Sequence, residues 1–173
     1  MTADPSLAKD IRAIASLQGE FLLRSGKTST TYFDKYRFEA DPALLRRIAA
    51  AMIRILPRGV EVLAGLELGG VPLATAMSLA TGIPAAFVRK EAKAYGTCLA
   101  VEGGSVAGKR VALIEDVITT GGAVADAVPL VRAAGGEIIG VVCAIWRGEG
   151  LPRIEGLPDL PVVAALSKND LVD

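Results

Sequence analysis

The sequence predicts an α/β fold organised around a central parallel sheet. Three observations point there. Short apolar runs of strand length alternate with segments of helical periodicity, and such alternation closes into a parallel sheet through right-handed crossovers. The interior is drawn from small and branched side chains, with 51% hydrophobic residues but only 5% aromatic ones, which suits a sheet covered on both faces. The length, 173 residues, is that of one domain able to bury roughly 70% of its unfolded surface. The whole chain, 1–173, is therefore read as a single domain.

Each element has a local reason. Leu7, Ile11, Ile14 and Leu17 fall at helical spacing and predict an amphipathic helix over 5–18. Residues 20–38 read as two short strands around a polar turn at Ser25–Thr30. Asp41 followed by Pro42 is a helix start, a cap and then a first-turn proline, and that helix runs to about Ile55. Val60–Ala64 is a short strand, Gly69–Ala80 the helix after it, and Ala85–Val88 another strand. Residues 89–108 are basic at their start and glycine-rich later. An irregular segment of this length in a compact domain is usually functional or mobile. Then come a buried-type strand at Lys109–Glu115, a helix at Ala123–Ala134 ending in Gly135 and Gly136, a strand at Glu137–Ile145 and a last one at Pro161–Leu166.

The composition removes whole classes of chemistry. There is no histidine, which excludes Ser-His-Asp and Cys-His nucleophile sites, imidazole acid–base catalysis and imidazole-bound metals. The two cysteines, Cys98 and Cys143, cannot make a four-cysteine zinc site. An enzyme of this composition works with carboxylates, hydroxyls, Lys, Arg and backbone amides, and a metal held by oxygen ligands stays open. Nineteen Lys+Arg balance nineteen Asp+Glu, which argues against bulk nucleic-acid binding. The stretch MTADPSLAKD lacks the apolar core of a signal peptide, and no apolar run approaches the roughly 18 residues of a membrane span. A cytoplasmic protein is expected, and unpaired cysteines fit a reducing compartment.

The most informative segment is Val111–Val124, VALIEDVITTGGAV. A buried strand is followed by Glu115 and Asp116, then by Thr119, Thr120, Gly121 and Gly122, then by a helix. Ligands of open α/β sheets bind outside the carboxyl ends of the strands. Glycines let backbone N–H groups converge, the helix N-terminus adds positive potential, and the threonine hydroxyls add donors, so a phosphate dianion fits. Two carboxylates beside a phosphate repel it unless something lies between. A sugar with two vicinal hydroxyls satisfies both, with its 5′-phosphate in the Thr-Thr-Gly-Gly loop.

On these residues the segment resembles the 5-phosphoribosyl-1-pyrophosphate (PRPP) binding motif of type I phosphoribosyltransferases. The wording Glu-Asp-Val-Ile-Thr-Thr-Gly-Gly is similar to that of the orotate-using members. Purine-using members more often carry two Asp and an Ala-Thr-Gly core. Three further segments agree, so the resemblance covers roughly residues 15–150. Residues 21–34 (FLLRSGKTSTTYFD) resemble the hood motif, in which Arg24, Tyr32 and Phe33 take the positions at the pyrimidine. Residues 87–97 (FVRKEAKAYGT) resemble the flexible catalytic loop, with Arg89, Lys90 and Lys93 at its basic positions. Residues 141–150 (VVCAIWRGEG) match a strand that ends in an orotate-contacting Arg, here Arg147.

The resemblance implies a type I phosphoribosyltransferase fold: a central parallel sheet flanked by helices, a small N-terminal hood over about 1–40, and a flexible loop over about 89–108. It implies transfer of the 5-phosphoribosyl group from PRPP to orotate, giving orotidine 5′-monophosphate and pyrophosphate in de novo pyrimidine biosynthesis. Mg²⁺ is expected on the diphosphate, with no direct side-chain ligand. A homodimer is expected, its loop closing over the neighbouring subunit's site, with neither nucleic acid nor membrane as partner. By the same resemblance Glu115 and Asp116 hold the ribose hydroxyls, and Thr119, Thr120, Gly121 and Gly122 hold the 5′-phosphate. Arg89, Lys90, Lys93 and Tyr95 meet the diphosphate. Arg24, Tyr32, Phe33, Thr119 and Arg147 meet the orotate, a flat anion that needs a cation for its carboxylate and an apolar face for its ring. Lys93, Arg89 and Asp116 form the catalytic set.

Three positions depart from the usual pattern. Tyr95 stands where many members carry His, Gly69 where many carry Lys, and Trp146 where many carry Asp before the arginine. Two alternatives stay open: transfer to another base such as a purine, and a non-catalytic PRPP sensor. P-loop look-alikes fail. Ser25–Thr28 has Phe21 where the first glycine belongs, and Gly103–Arg110 ends in Arg and precedes a strand.

Overall fold

The computed structural model describes residues 5–22, 26–91 and 99–171. Arg24, Lys93, Tyr95 and Cys98 lie outside the described residues.

Helix α1 (Pro5–Ala15) buries Leu7, Ala8, Ile11 and Ala15. It stops before the expected residue 18, because Ser16–Leu22 is taken up as strand β1 and pairs antiparallel with β2 (Thr28–Phe33), Leu17 opposite Tyr32. Pairing wins over helical periodicity here. The sequence reading missed α2 (Lys35–Ala40). Asp34 caps it by accepting from the Tyr36 N–H, and it buries Phe38 and Glu39. Helix α3 (Pro42–Arg54) starts where the Asp-Pro pair predicts, with Asp41 Oδ1 accepting from the N–H groups of Ala43 and Leu44, both at 2.9 Å.

The main sheet has six strands: β3 (Val62–Leu66), β4 (Ala85–Val88), β5 (Val101–Gly103), β6 (Arg110–Ile118), β7 (Glu137–Trp146) and β8 (Val162–Ser167), in the spatial order β5-β4-β3-β6-β7-β8. All neighbours are parallel except β5, which pairs antiparallel with β4. Strand β5 lies inside the stretch read as irregular; three residues are too short to show a period. Helix α4 (Gly70–Thr81) links β3 to β4, and α5 (Gly122–Ala133) links β6 to β7. A 3₁₀ turn, Lys168–Leu171, follows β8.

Alternation along the central strands divides the core. Ala112, Ile114, Val142 and Ala144 pack with α1, α3 and α4 on one face. Val111, Leu113, Val141 and Cys143 pack with Val124, Val128 and Val131 of α5 on the other. Leu113 and Ile114 are fully buried, so truncating either to Ala costs about 2–5 kcal/mol. Strand β6 also runs three residues past its expected end at Glu115. Val117 and Ile118 continue the ladder to Ile145 and Trp146 of β7. The carboxylates therefore sit within a strand, and the Thr-Thr-Gly-Gly turn lies just beyond its carboxyl end.

Candidate active site

The turn after β6 wraps a concavity of about 200 Å³ lined by Glu115 and by residues 117–124. Thr119 and Thr120 are exposed at its rim. Gly121 has φ +84°, a left-handed conformation at the N-cap of α5, and a Cβ there would overlap Ile154 Cδ1. Its carbonyl accepts from Ala125 N–H at 2.9 Å and starts the helix. The result is a shallow cradle at a helix N-terminus with hydroxyls on its lip, suited to a phosphate dianion.

A larger cavity of about 650 Å³ adjoins it and shares Glu115, Thr120, Gly122 and Ala123. Arg89, Lys90 and Glu91 line its far wall, and the β3–α4 loop contributes Glu67 and Leu68. Glu67 Oε1 accepts from Lys90 N–H at 2.8 Å, and Arg89 N–H donates to Ala100 O at 2.8 Å. Two of the predicted diphosphate cations are thus pinned by their backbone at the cavity that adjoins the phosphate cradle.

The two carboxylates have different surroundings. Glu115 lines both cavities and is 7% exposed. Burial, and then the charge of Asp116, push its carboxyl up to about 8. Asp116 is fully buried and turned toward α2. Its Oδ1 accepts from Val117 N–H at 2.5 Å, and its Oδ2 lies 2.6 Å from Lys35 Nζ. Burial alone would lower the Lys35 pKa, but the hydrogen bond and charge of Asp116 outweigh it and the net direction is up. Glu39, one helical turn beyond Lys35, also reaches Asp116. Burial, and then its hydrogen bond to Asp116, push its carboxyl up to about 9. Two carboxyl groups bond to each other only if one keeps its proton. Glu39 is the carboxyl pushed upward; Glu39 Oε1 and Asp116 Oδ2 are both buried, and the Lys35 ammonium is the cation beside Oδ2.

Gly69 makes room for this cluster. A Cβ on it would overlap Asp116 Oδ2 and stand 2.8 Å from Glu39 Oε1. The space beside Gly69 is filled by carboxyl oxygens.

Of the residues expected at the base, Phe33 and Arg147 come together, with the guanidinium carbon 5.2 Å from the ring centroid. Arg147 N–H donates to Ile118 O at 2.7 Å, which ties it to the end of β6 beside Thr119. Trp146 is 4% exposed, and its indole N–H donates to Gly150 O, shaping the turn after Arg147. Tyr32 parts from Phe33: neighbours on a strand face opposite ways, and Tyr32 packs on Phe21 at 5.4 Å between centroids. Lys35, Glu39 and Glu67 are the residues of the site that sequence reasoning missed. The available signal was an Asp cap followed by Lys and Glu four residues apart.

Cavity, cradle and parallel sheet together define a phosphoribosyltransferase. The family model for the phosphoribosyl transferase domain matches residues 37–159. An orotate phosphoribosyltransferase of a Nocardioides species is 62% identical over 147 residues, covering 85% of this chain and 82% of that protein. One from Halobacterium salinarum is 39% identical over 174 residues, covering 100% of this chain and 99% of that one. The crystal structure of the Mycobacterium tuberculosis H37Rv orotate phosphoribosyltransferase in complex with PRPP superposes with a TM-score of 0.82 at 30% identity, over 96% of this chain and 97% of that one. The chain belongs to the orotate phosphoribosyltransferase family. Among the described residues no helix is long and apolar enough to cross a membrane.

Proposed function

We infer that this enzyme transfers the 5-phosphoribosyl group of PRPP to orotate, forming orotidine 5′-monophosphate and releasing pyrophosphate. The observation that carries the reading is the meeting of three features in adjoining cavities: the Thr119–Gly122 cradle, the Glu115 carboxyl common to both cavities, and Arg89 and Lys90 lining the larger one. A ring nitrogen of orotate attacks C1 of the ribose, its proton passing to solvent. The C1–O bond to the diphosphate breaks, and pyrophosphate leaves with the electron pair. Charge grows on the leaving group, so pre-placed cations lower the barrier, and no protein nucleophile is needed.

The cradle takes the 5′-phosphate, and Glu115, which lines both cavities, takes the ribose hydroxyls with the buried Asp116 cluster behind it. Arg89 and Lys90, joined by Lys93 and Tyr95, meet the diphosphate. Arg147, over the Phe33 ring, meets the orotate ring and carboxylate, with Arg24 and Thr119 completing the base side. The donors fit a Mg²⁺ carried on the diphosphate: hard carboxylate oxygens line the cavity, and the chain has no imidazole. When bound, that ion neutralises diphosphate charge; it requires no dedicated side-chain cage. We place the reaction in the cytoplasm, in a homodimer whose loop acts on the neighbouring site; an active monomer in sedimentation would refute the dimer.

Pyrophosphate release from PRPP tests the substrate. It is expected with orotate and not with a purine; release with a purine alone, or PRPP binding without release, overturns the reading. Lys93→Ala is expected to lower kcat by about 100-fold if the loop cation acts in the transition state. An unchanged kcat would remove that role.

A further inference from the structure

We propose that Lys35 and Glu39 are positioning residues that clamp the Asp116 carboxylate between them and so set the affinity for the ribose of PRPP. The proposal rests on the reading of this site as a PRPP site, but its argument comes from the cluster itself. Asp116 is fully buried, and a buried carboxylate persists only when neighbouring donors satisfy it. Here the donors are few and come from identified places. Val117 N–H binds Oδ1 at 2.5 Å, and Lys35 Nζ meets Oδ2 at 2.6 Å. Glu39 flanks the same spot: a Cβ on Gly69 would overlap Asp116 Oδ2 and stand 2.8 Å from Glu39 Oε1.

Lys35 and Glu39 are four residues apart on α2, so they lie on one face of the helix and approach Asp116 together. Phe38 between them is fully buried, and Asp34 caps the first turn; the helix packs on α1 and α3. Lys35 also lines the large cavity beside Glu115. It thus touches both the buried carboxylate and the space where the sugar is placed. Gly69 completes the arrangement, since any side chain there would enter the volume of the Asp116 carboxylate. Without Lys35, Asp116 would lose its cation and face two other carboxyls, Glu39 and Glu115. The carboxyl cluster behind Glu115, and with it the ribose side of the cavity, would then no longer be fixed. The clamp acts before the chemical step, on how PRPP is held, and leaves orotate recognition to the Phe33–Arg147 side.

The test is steady-state kinetics and PRPP titration calorimetry on Lys35→Ala, Lys35→Arg, Glu39→Gln and Glu39→Leu, each with a thermal melt. Lys35→Ala is expected to raise the KM and Kd for PRPP at least 10-fold while the KM for orotate moves less than 2-fold. Lys35→Arg should recover part of the loss, and Glu39→Gln, which keeps a neutral donor, should retain more PRPP affinity than Glu39→Leu. In an Asp116→Asn background, Lys35→Ala should add little, because the group it positions is already gone. If Lys35→Ala lacks a cooperative melt, Lys35→Met, which keeps the aliphatic stem, takes its place. A folded Lys35 variant with PRPP affinity within 2-fold of the wild type, or full additivity with Asp116→Asn, overturns the clamp. Wild-type protein that consumes no orotate with PRPP would instead overturn the functional reading, so the two failures are distinct.

Discussion

The two walls of the cavity are made in opposite ways. The β6–α5 wall is one continuous stretch of chain, from the buried strand through Glu115 to the cradle at Gly122. The α2 wall is assembled across the fold: Lys35 and Glu39 reach Asp116 from about eighty residues away in sequence. A contiguous wall is set by backbone geometry, and backbone geometry follows from local residue types. An assembled wall depends on which helix face packs where, and it uses ordinary residues that acquire a role only through burial.

The sharpest way to break this contrast is Gly69→Ala, because it attacks the assembled wall through a single methyl group. The added carbon would overlap Asp116 Oδ2 and press on Glu39 Oε1. A loss in kcat/KM of about 100-fold or more is expected, equivalent to about 2.7 kcal/mol, with the fold retained by thermal melt. Near-wild-type kinetics would show that the cluster has slack and is no clamp.

Arg147→Ala probes the base side. Loss of a charge-assisted contact of about 1.5–3 kcal/mol predicts a roughly 10- to 100-fold rise in the KM for orotate, with that for PRPP little changed. Equal changes in both would mean that Arg147 supports the turn after β7 rather than the base.

Gly121→Ala tests the contiguous wall. Its φ of +84° and the approach of Ile154 predict a stability loss of about 1–3 kcal/mol. In a chain of this length that lowers Tm by about 2–4 °C per kcal/mol, with weaker PRPP binding alongside. Unaltered stability would show that the cradle tolerates a side chain.

The buried carboxyls also predict a pH slope. Glu39 and Glu115 keep their protons in the folded chain up to about 9 and about 8, against an ordinary value of 4.5. Burial raises both most, Asp116 adds to it and Lys35 opposes, with Lys90 also opposing at Glu115. The folded state therefore binds more protons than the unfolded one between those limits. This contribution is fully present below about 4.5 and is lost as pH rises through about 8–9. Melts of ligand-free protein from pH 5 to 9 should show a steeper decline for the wild type than for Glu39→Gln. Parallel curves would mean that Glu39 does not hold its proton in this range.

The same division explains what was legible in the sequence. Strands β4 and β7, helix α3 and the β6–α5 turn follow from apolar runs, an Asp-Pro start and a pair of glycines, all local signals. The Thr-Thr-Gly-Gly cradle was legible for that reason. Helix α2 was not, because six residues show too little periodicity, and β5 was too short. Reading Glu115 and Asp116 as an adjacent pair did not show their separate surroundings, since β6 was expected to end at Glu115 rather than run on to Ile118. Tyr32 and Phe33 looked like one aromatic pair, yet strand alternation sends only Phe33 to Arg147.

One measurement bears most directly on the central claim that this site joins PRPP to orotate without histidine. Orotate absorbance is followed on adding PRPP, with and without Mg²⁺. The account predicts a PRPP-dependent fall, strongly enhanced by Mg²⁺, with pyrophosphate formed in equal amount. Orotate left unconsumed in the presence of PRPP and Mg²⁺ would contradict it.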